Sequence, residues 1–151
     1  MIHWRAVLEA QVWISAAINS AGPARKIVDE AVAGTFRIVT SPYIHAEVRE
    51  VFSRPAVRRF LARGFDEAAW LDFVELTAAD VVQETVGPPV VPADPDDDPY
   101  LWTAYVGAAT HVVTWDAEVL ALKHVRGAQV VDPREFLRML RARQRPCRAS
   151  P

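Results

Sequence analysis

The densest group of side chains that could do chemistry is acidic and lies at residues 94–98, in the stretch DPDDDPYL. Aspartates occupy four of these five positions: Asp94, Asp96, Asp97 and Asp98. Such a run fits a solvated loop, a calcium loop, a helix cap or part of a metal site. An EF-hand loop that starts at Asp94 requires glycine at position 99 and glutamate at position 105, where the chain has Pro99 and Tyr105. The EF-hand is therefore excluded, and Asp98 is expected to cap a helix that begins at Pro99.

The elements that must position these carboxylates alternate along the chain. WRAVLEAQVWI predicts a first strand with its core at residues 4–9, and four further strands are predicted at TFRIVT, DVVQE, HVVTWD and AQVVD. Helical patterns lie between them, for example in SPYIHAEVREVF, where Ser41 is the expected N-cap and Pro42 the first helical residue. Strands that alternate with helices predict an α/β fold, with a mainly parallel central sheet of about five strands flanked by helices.

Other acidic residues follow these predicted strands. Glu9 ends the first strand and Asp116 follows the fourth, which are positions where open α/β sheets place functional groups. Glu47 lies in a helix beside the apolar residues Ile44 and Val48, and its ordinary interpretation is an exposed helix glutamate. Carboxylates brought together repel one another and their pKa values rise unless a cation compensates. Hard cations such as Mg²⁺ and Mn²⁺ prefer oxygen ligands, and sites of this kind suit phosphodiester hydrolysis with one or two ions.

These motifs resemble the PIN-domain family, and within it the branch of toxins from toxin–antitoxin systems that is related to the VapC-type ribonucleases. The resemblance runs from about residue 6 to residue 138 and is carried by VLEAQVWISAAI, IVTSPYIHAEVREVFSRP, VVDPREFL and, most specifically, DPDDDPYLWTAYVGAATHVVTWDAEVL. It implies a PIN-like fold and a metal-dependent endoribonuclease that cuts single-stranded RNA. By the same match Glu47, Asp97 and Asp116 fall on metal-site acids, while Asp94 and Thr114 fall on supporting positions.

The first acidic motif departs from the family pattern. The family usually has Asp-Thr-Asn or Asp-Ala-Asn after the first strand, whereas this chain has Glu9-Ala10-Gln11, with both polar side chains one methylene longer. We expect Glu9 to act as the fourth catalytic and metal-binding acid and Gln11 to support it. Because active sites tolerate only about 0.5 Å of misplacement, the alternative is a weakened or inactive PIN-fold module that binds RNA or a protein partner. A receiver-like phospho-acceptor domain is a weaker third option, since no lysine is well placed for it.

Basic and aromatic residues suggest where partners bind. Four arginines cluster in the second and third predicted helices: Arg49, Arg54, Arg58 and Arg59. They form either a charged solvent face or an RNA-phosphate track. Trp13 and Trp102 are candidates for a surface that contacts a second copy or an antitoxin, because the resemblance implies a homodimer and an antitoxin partner.

Composition limits the remaining possibilities. The chain has 151 residues and a net charge of -2, which argues against a strong whole-surface attraction to nucleic acid. The single cysteine, Cys147, cannot form an internal disulfide or a cysteine-based zinc site, so a cytoplasmic setting is expected. No membrane span or secretory signal is expected. We expect residues 1–140 to form a single domain and residues 141–151 a basic, flexible tail.

Overall fold

The structure is a computed structural model that describes residues 3–83 and 98–145, except for the side chain of residue 98. In this part of the chain a six-stranded sheet is flanked by eight helices. The strands are β1 Arg5–Leu8, β2 Arg37–Thr40, β3 Asp80–Val81, β4 His111–Val113, β5 His124–Val125 and β6 Ala128–Val131. The helices are α1 Ala10–Ile18, α2 Pro23–Val32, α3 Pro42–Ser53, α4 Pro55–Arg58, α5 Glu67–Thr77, α6 Asp98–Val106, α7 Ala117–Ala121 and α8 Pro133–Gln144.

The sheet has the order β3-β2-β1-β4-β6-β5 and is parallel except for β5. This confirms the predicted α/β fold with a mainly parallel sheet. The sixth strand, β5, was not predicted because two residues are too few to show an alternating pattern. It is joined to β6 by a tight turn in which Arg126 (φ 44°) and Gly127 (φ 90°) have left-handed backbone conformations.

The central strands are apolar on both faces. Ala6, Val7, Val112 and Val113 are fully buried, as expected for parallel strands covered by helices on both faces. The first strand is shorter than its apolar run because the chain turns into α1 at Glu9, so that residues 10–14 are helical rather than extended. The apolar residues of that run remain in the core, where they pack from a helix instead of from a strand.

The helix starts follow local sequence signals. Proline occupies the first position of α3 and α8, where it costs no intrahelical hydrogen bond. Ser41 stands at the N-cap position of α3, as predicted, but its hydroxyl hydrogen-bonds the Thr103 hydroxyl of α6 at 2.9 Å and does not cap the helix. This buried pair joins α6 to the junction of β2 and α3, beside the carboxyl end of β1.

The two tryptophans predicted at a partner surface lie inside the fold. Trp13 has no exposed surface and Trp102 is only 7% exposed. The Arg126 guanidinium covers Trp102 with its carbon 4.6 Å from the ring centroid. The prediction that these two side chains form an interface was therefore wrong, because helix packing and a stacked arginine bury them. None of the described helices has the length and apolarity that a membrane span requires.

Candidate active site

Three acidic or polar residues directly follow neighbouring strands at the same edge of the sheet. β1 ends directly before Glu9, β4 before Thr114 and β6 before Asp132, and these strands are adjacent and parallel. The Glu9 amide donates to the Val113 carbonyl and the Thr114 amide to the Val131 carbonyl, each at 3.1 Å. The strand register thus brings residues far apart in sequence to one edge of the sheet, the edge where α/β folds carry their sites.

Glu9 is the most buried acid of this edge. The residue is 9% exposed, and its Oε1 accepts a hydrogen bond from the Gln11 amide at 3.2 Å, which caps α1. The pKa of Glu9 is raised to about 7, mainly by burial and to a smaller extent by the negative charges of Glu47 and Asp116. Hydrogen bonds from the Gln11 amide and the Thr114 hydroxyl partly oppose this increase. The three carboxylates therefore influence one another electrostatically, although they come from three different elements.

Asp116 lies in the turn between β4 and α7. Its Oδ1 accepts from the amides of Glu118 at 2.9 Å and Val119 at 3.2 Å, so it caps α7. The Asp116 amide donates to the Oγ1 of Thr114 at 3.0 Å. Within the described residues Oδ2 has no hydrogen bond, so one oxygen of Asp116 holds the helix and the other remains for a cation.

Glu47 reaches the acidic edge from α3. It is half-buried and lies next to Ile44 and Val48, which are fully buried and fix this helix against the core. Glu47 and Asp116 both raise the pKa of Glu9, whereas the charge of Glu47 also acts on Arg54. Glu47 therefore lies where its negative charge affects both the carboxyl group of Glu9 and the guanidinium of Arg54, the residue that follows α3.

The acidic run at 94–98 is described only at its end. Asp94 and Asp97 lie outside the described residues, and α6 begins at Asp98, whose side chain is also outside them. α6 packs against β1, β2, β4 and α3, which include the strand that precedes Glu9 and the helix that carries Glu47. Across residues 3–83 and 98–145, no three acidic, histidine or cysteine side chains group closely enough to hold a metal ion.

The predicted supporting residues Thr114 and Gln11 differ in burial and in the atoms that contact Glu9. The Thr114 side chain is fully buried and connects the Asp116 amide with the Glu9 carboxylate. Gln11 is exposed, and its backbone amide, not its side chain, contacts Glu9. The side chain of Gln11 makes no hydrogen bond to any described residue.

The four arginines of the predicted RNA track are all exposed, but most are paired within the protein: Arg49, Arg54, Arg58 and Arg59. Three of them hydrogen-bond a glutamate, Arg49 to Glu75, Arg54 to Glu50 at 2.6 Å and Arg58 to Glu67 at 2.7 Å. The fourth stacks on Phe60, with its guanidinium carbon 4.9 Å from the ring centroid. Neutralising partners weaken the attraction of this surface for phosphates.

Residues outside the predicted set of site residues also lie at this edge. Trp115 and Asp132 line a cavity of about 460 Å³ together with Arg134 and the end of α1. The signal for Asp132 was available, because it follows the predicted strand AQVV in the way that Asp116 follows β4. No local pattern pointed to Arg134, since its position beside Trp115 depends on the packing of α8 against α2.

The comparisons with known proteins agree with this architecture. A family model described as PIN domain matches residues 5–118, which include Glu9, Glu47, Thr114 and Asp116. No curated protein matches the chain.

Proposed function

The chain belongs to the PIN domain family, whose members are generally nucleases that use divalent metal ions, and we propose that it is a metal-dependent endoribonuclease. Its substrate is single-stranded RNA, and its reaction is hydrolysis of a phosphodiester bond. The observation that carries this proposal is the buried Glu9 carboxylate, whose pKa is raised to about 7 by burial and by its acidic neighbours Glu47 and Asp116. Such a site gains stability when a cation enters.

The donor set suits a hard divalent cation. Glu9, Glu47 and Asp116 offer only carboxylate oxygens, which Mg²⁺ and Mn²⁺ prefer over nitrogen and sulfur. Because the described acids do not form a complete ligand group, the proposed set includes Asp97, with Asp94 in support. When bound, one or two such ions supply an activated water and neutralise charge on the phosphate oxygens.

The residues of the chain have separate tasks in this proposal. The Thr114 hydroxyl oxygen accepts a hydrogen bond from the Asp116 amide, and the same hydroxyl hydrogen-bonds Glu9. One hydroxyl therefore orients two of the acids. The Gln11 amide restrains the Glu9 carboxylate from the other side. Because the pKa of Glu9 is about 7, this group must release a proton when a cation binds, and cation affinity is expected to rise with pH up to neutrality.

The biological role extends the same proposal. We propose that the protein is the toxin of a toxin–antitoxin pair in the cytoplasm, forms a homodimer and is inhibited by an antitoxin protein. The resemblance of its motifs to the toxin branch supports this role. Induced expression in a bacterial host should arrest growth, and the product of a short neighbouring reading frame should relieve the arrest. Normal growth with abundant folded protein would contradict the toxin role without affecting the nuclease proposal.

One observation favours a second candidate, a PIN-fold module that binds RNA or a protein partner without cleaving RNA. Glu9 is longer than the usual aspartate and is already engaged in capping α1, and the exposed Gln11 side chain makes no hydrogen bond to any described residue. In this candidate the acidic edge is a remnant of a nuclease site.

A cleavage assay separates the two candidates. Purified protein is incubated with labelled single-stranded RNA and Mn²⁺ or Mg²⁺, or with EDTA, and the fragments are resolved on a gel. We expect metal-dependent cleavage that falls at least 100-fold in Asp97→Asn and Asp116→Asn, an effect typical of the loss of one site group. The matched control is Glu118→Gln, which removes an exposed carboxylate near Asp116. Cleavage that persists in EDTA or is undiminished in Asp116→Asn would contradict the assigned site, and no cleavage together with no Mn²⁺ binding by calorimetry would favour the module.

A further inference from the structure

A basic groove runs along one face of α8. Arginines at positions 134, 138, 141 and 145 are three or four residues apart, a spacing that places them on one face of a helix. They line a groove of about 570 Å³ with Pro23. We call this surface the α8 arginine groove: Arg134, Arg138, Arg141 and Arg145.

The α8 arginine groove continues into the cavity beside Trp115. Pro23 and Arg134 line both the groove and the cavity, so the two are contiguous. Trp115 directly precedes Asp116, and Asp132 at the start of α8 leaves the sheet level with Glu9. The cavity therefore lies between the groove and the chain segment that carries Asp116, and its volume of about 460 Å³ lies within the range of small-ligand pockets.

The charges of this groove are less compensated than those of the arginines on α3 and α4. Among residues 3–83 and 98–145, Arg134, Arg141 and Arg145 form no salt bridge, whereas Arg138 pairs with Glu135 on its own helix. Arg141 influences Glu30 through its charge, without a salt bridge between them. Three cations in one concave surface form a phosphate-binding surface, because each is able to exchange a mobile counterion for a phosphate.

Trp115 adds an exposed aromatic ring, a group that stacks on bases but is not required to bind phosphate. The residue is 40% exposed although it lines a cavity and directly precedes Asp116 in the chain. Exposed aromatic rings beside basic grooves stack unpaired bases, which are accessible only in single-stranded nucleic acid. Within the same cavity, Ser15 and Asn19 at the end of α1 offer hydroxyl and amide groups.

From these observations we infer that the α8 arginine groove and the Trp115 cavity bind single-stranded RNA next to the acidic site. The backbone phosphates lie along Arg134, Arg141 and Arg145, and one base stacks on Trp115. This inference rests on the proposed nuclease function, and it moves the RNA path from the paired arginines of α3 and α4 to α8. The aromatic ring at the end of the groove favours RNA over an acidic peptide, which has no base to stack.

The first test measures binding without cleavage. Fluorescence anisotropy of a short, fluorescein-labelled single-stranded oligouridine is recorded with EDTA at several salt concentrations. The slope of log Kd against log salt should fall by about 0.7 for Arg134→Ala and for Arg141→Ala, and by about 1.4 for the double variant. The matched control is Arg37→Ala, which removes an exposed arginine at the amino end of β2 and should leave the slope unchanged. Circular dichroism and thermal melting establish that each variant is folded.

The second test concerns the base. Trp115→Ala should weaken binding roughly tenfold, the loss expected for one base stack, whereas Trp115→Phe should retain most of the affinity. RNA should quench tryptophan fluorescence in the wild type, and this quenching should be largely absent in Trp115→Phe. Equal affinity of Trp115→Ala and the wild type would overturn the role of the ring.

The outcomes distinguish the groove from the nuclease. An unchanged salt slope in the double arginine variant, or tighter binding of polyglutamate than of RNA at equal salt, overturns the groove as an RNA site. If that slope is unchanged while Asp116→Asn still abolishes cleavage, the nuclease stands and the groove fails. If binding depends on Arg134 and Arg141 but no variant or wild-type protein cleaves RNA, the groove stands and the nuclease fails.

Discussion

The buried carboxylate of Glu9 should make the metal-free protein less stable as pH rises. The pKa of Glu9 is about 7 in the folded protein, and its ordinary value is 4.5. The folded state therefore binds more protons than the unfolded state between these pH values, and stability falls as pH rises through this window. The full difference of about 2.5 pKa units corresponds to roughly 3 kcal/mol above pH 7.

Glu9→Gln removes this ionisation and keeps the shape of the side chain. The amide oxygen of glutamine is still able to accept the hydrogen bond that the Gln11 amide donates, so the cap of α1 is retained. We expect the variant to be more stable than the wild type by about 3 kcal/mol at about pH 8 but only by about 1 kcal/mol at about pH 5. The gain arises because glutamine cannot become a buried charge beside Glu47 and Asp116.

Urea unfolding in EDTA, followed by circular dichroism at both pH values, measures this difference. Glu118→Gln is the control, because it removes an exposed carboxylate close to the same edge and should show no comparable change with pH. Mn²⁺ added at about pH 8 should stabilise the wild type and have little effect on Glu9→Gln, since the cation compensates the charge that the variant lacks. A stability gain of equal size at the two pH values would refute the reasoning, because a pH-independent effect cannot come from the Glu9 ionisation.

Three further changes test other parts of the structure. Burial, with a smaller effect of a nearby arginine, lowers the pKa of His111 to about 4, so the folded protein should lose stability as pH falls. Urea unfolding in the Glu9→Gln background should show a loss of about 2 kcal/mol between about pH 7 and pH 5, and His111→Phe should abolish it. Gly107→Ala should destabilise by roughly 1–3 kcal/mol in the same assay, because a Cβ there would lie 2.4 Å from Val39 Cγ1; an unchanged unfolding midpoint would contradict this packing. Thr114→Val should cost about 1–3 kcal/mol by leaving the Asp116 amide without its acceptor and should also weaken Mn²⁺ binding in calorimetry; wild-type metal affinity would argue against a positioning role for this hydroxyl.

Much of the fold was accessible to sequence reasoning because its signals are local. Apolar runs followed by an acid identified β1 and β4, and Pro42 identified the start of α3. Parallel pairing then requires that Glu9 and Asp116 lie at the same edge, without knowledge of any contact. The end of β1 was less accessible, since the apolar run continues into α1 and only the capping role of Glu9 separates strand from helix.

The strength of the basic surfaces was not accessible in this way, because the charge that an arginine offers to a phosphate depends on partners distant in sequence. Arg49 meets Glu75 of α5, 26 residues away, and Arg58 meets Glu67 across a turn. Counting arginines along α3 therefore overstated the positive charge available to a phosphate. Arg134 was not identified as a site residue, since only the tertiary packing of α8 places it in the cavity beside Trp115.

The extra methylene of Glu9 does not require its carboxylate to lie correspondingly farther from the sheet than the carboxylate of the usual aspartate. An N-cap aspartate or serine reaches the first-turn amides with a short side chain. Glu9 reaches the Gln11 amide at 3.2 Å, so its longer chain bends back over the start of α1 rather than extending away from the sheet. In that position the carboxylate still responds to the charges of Glu47 and Asp116 and still meets the Thr114 hydroxyl. The lengthened side chain is thus compatible with a working acidic site, and the proton that it holds near neutrality links the stability of the metal-free protein to its affinity for a cation.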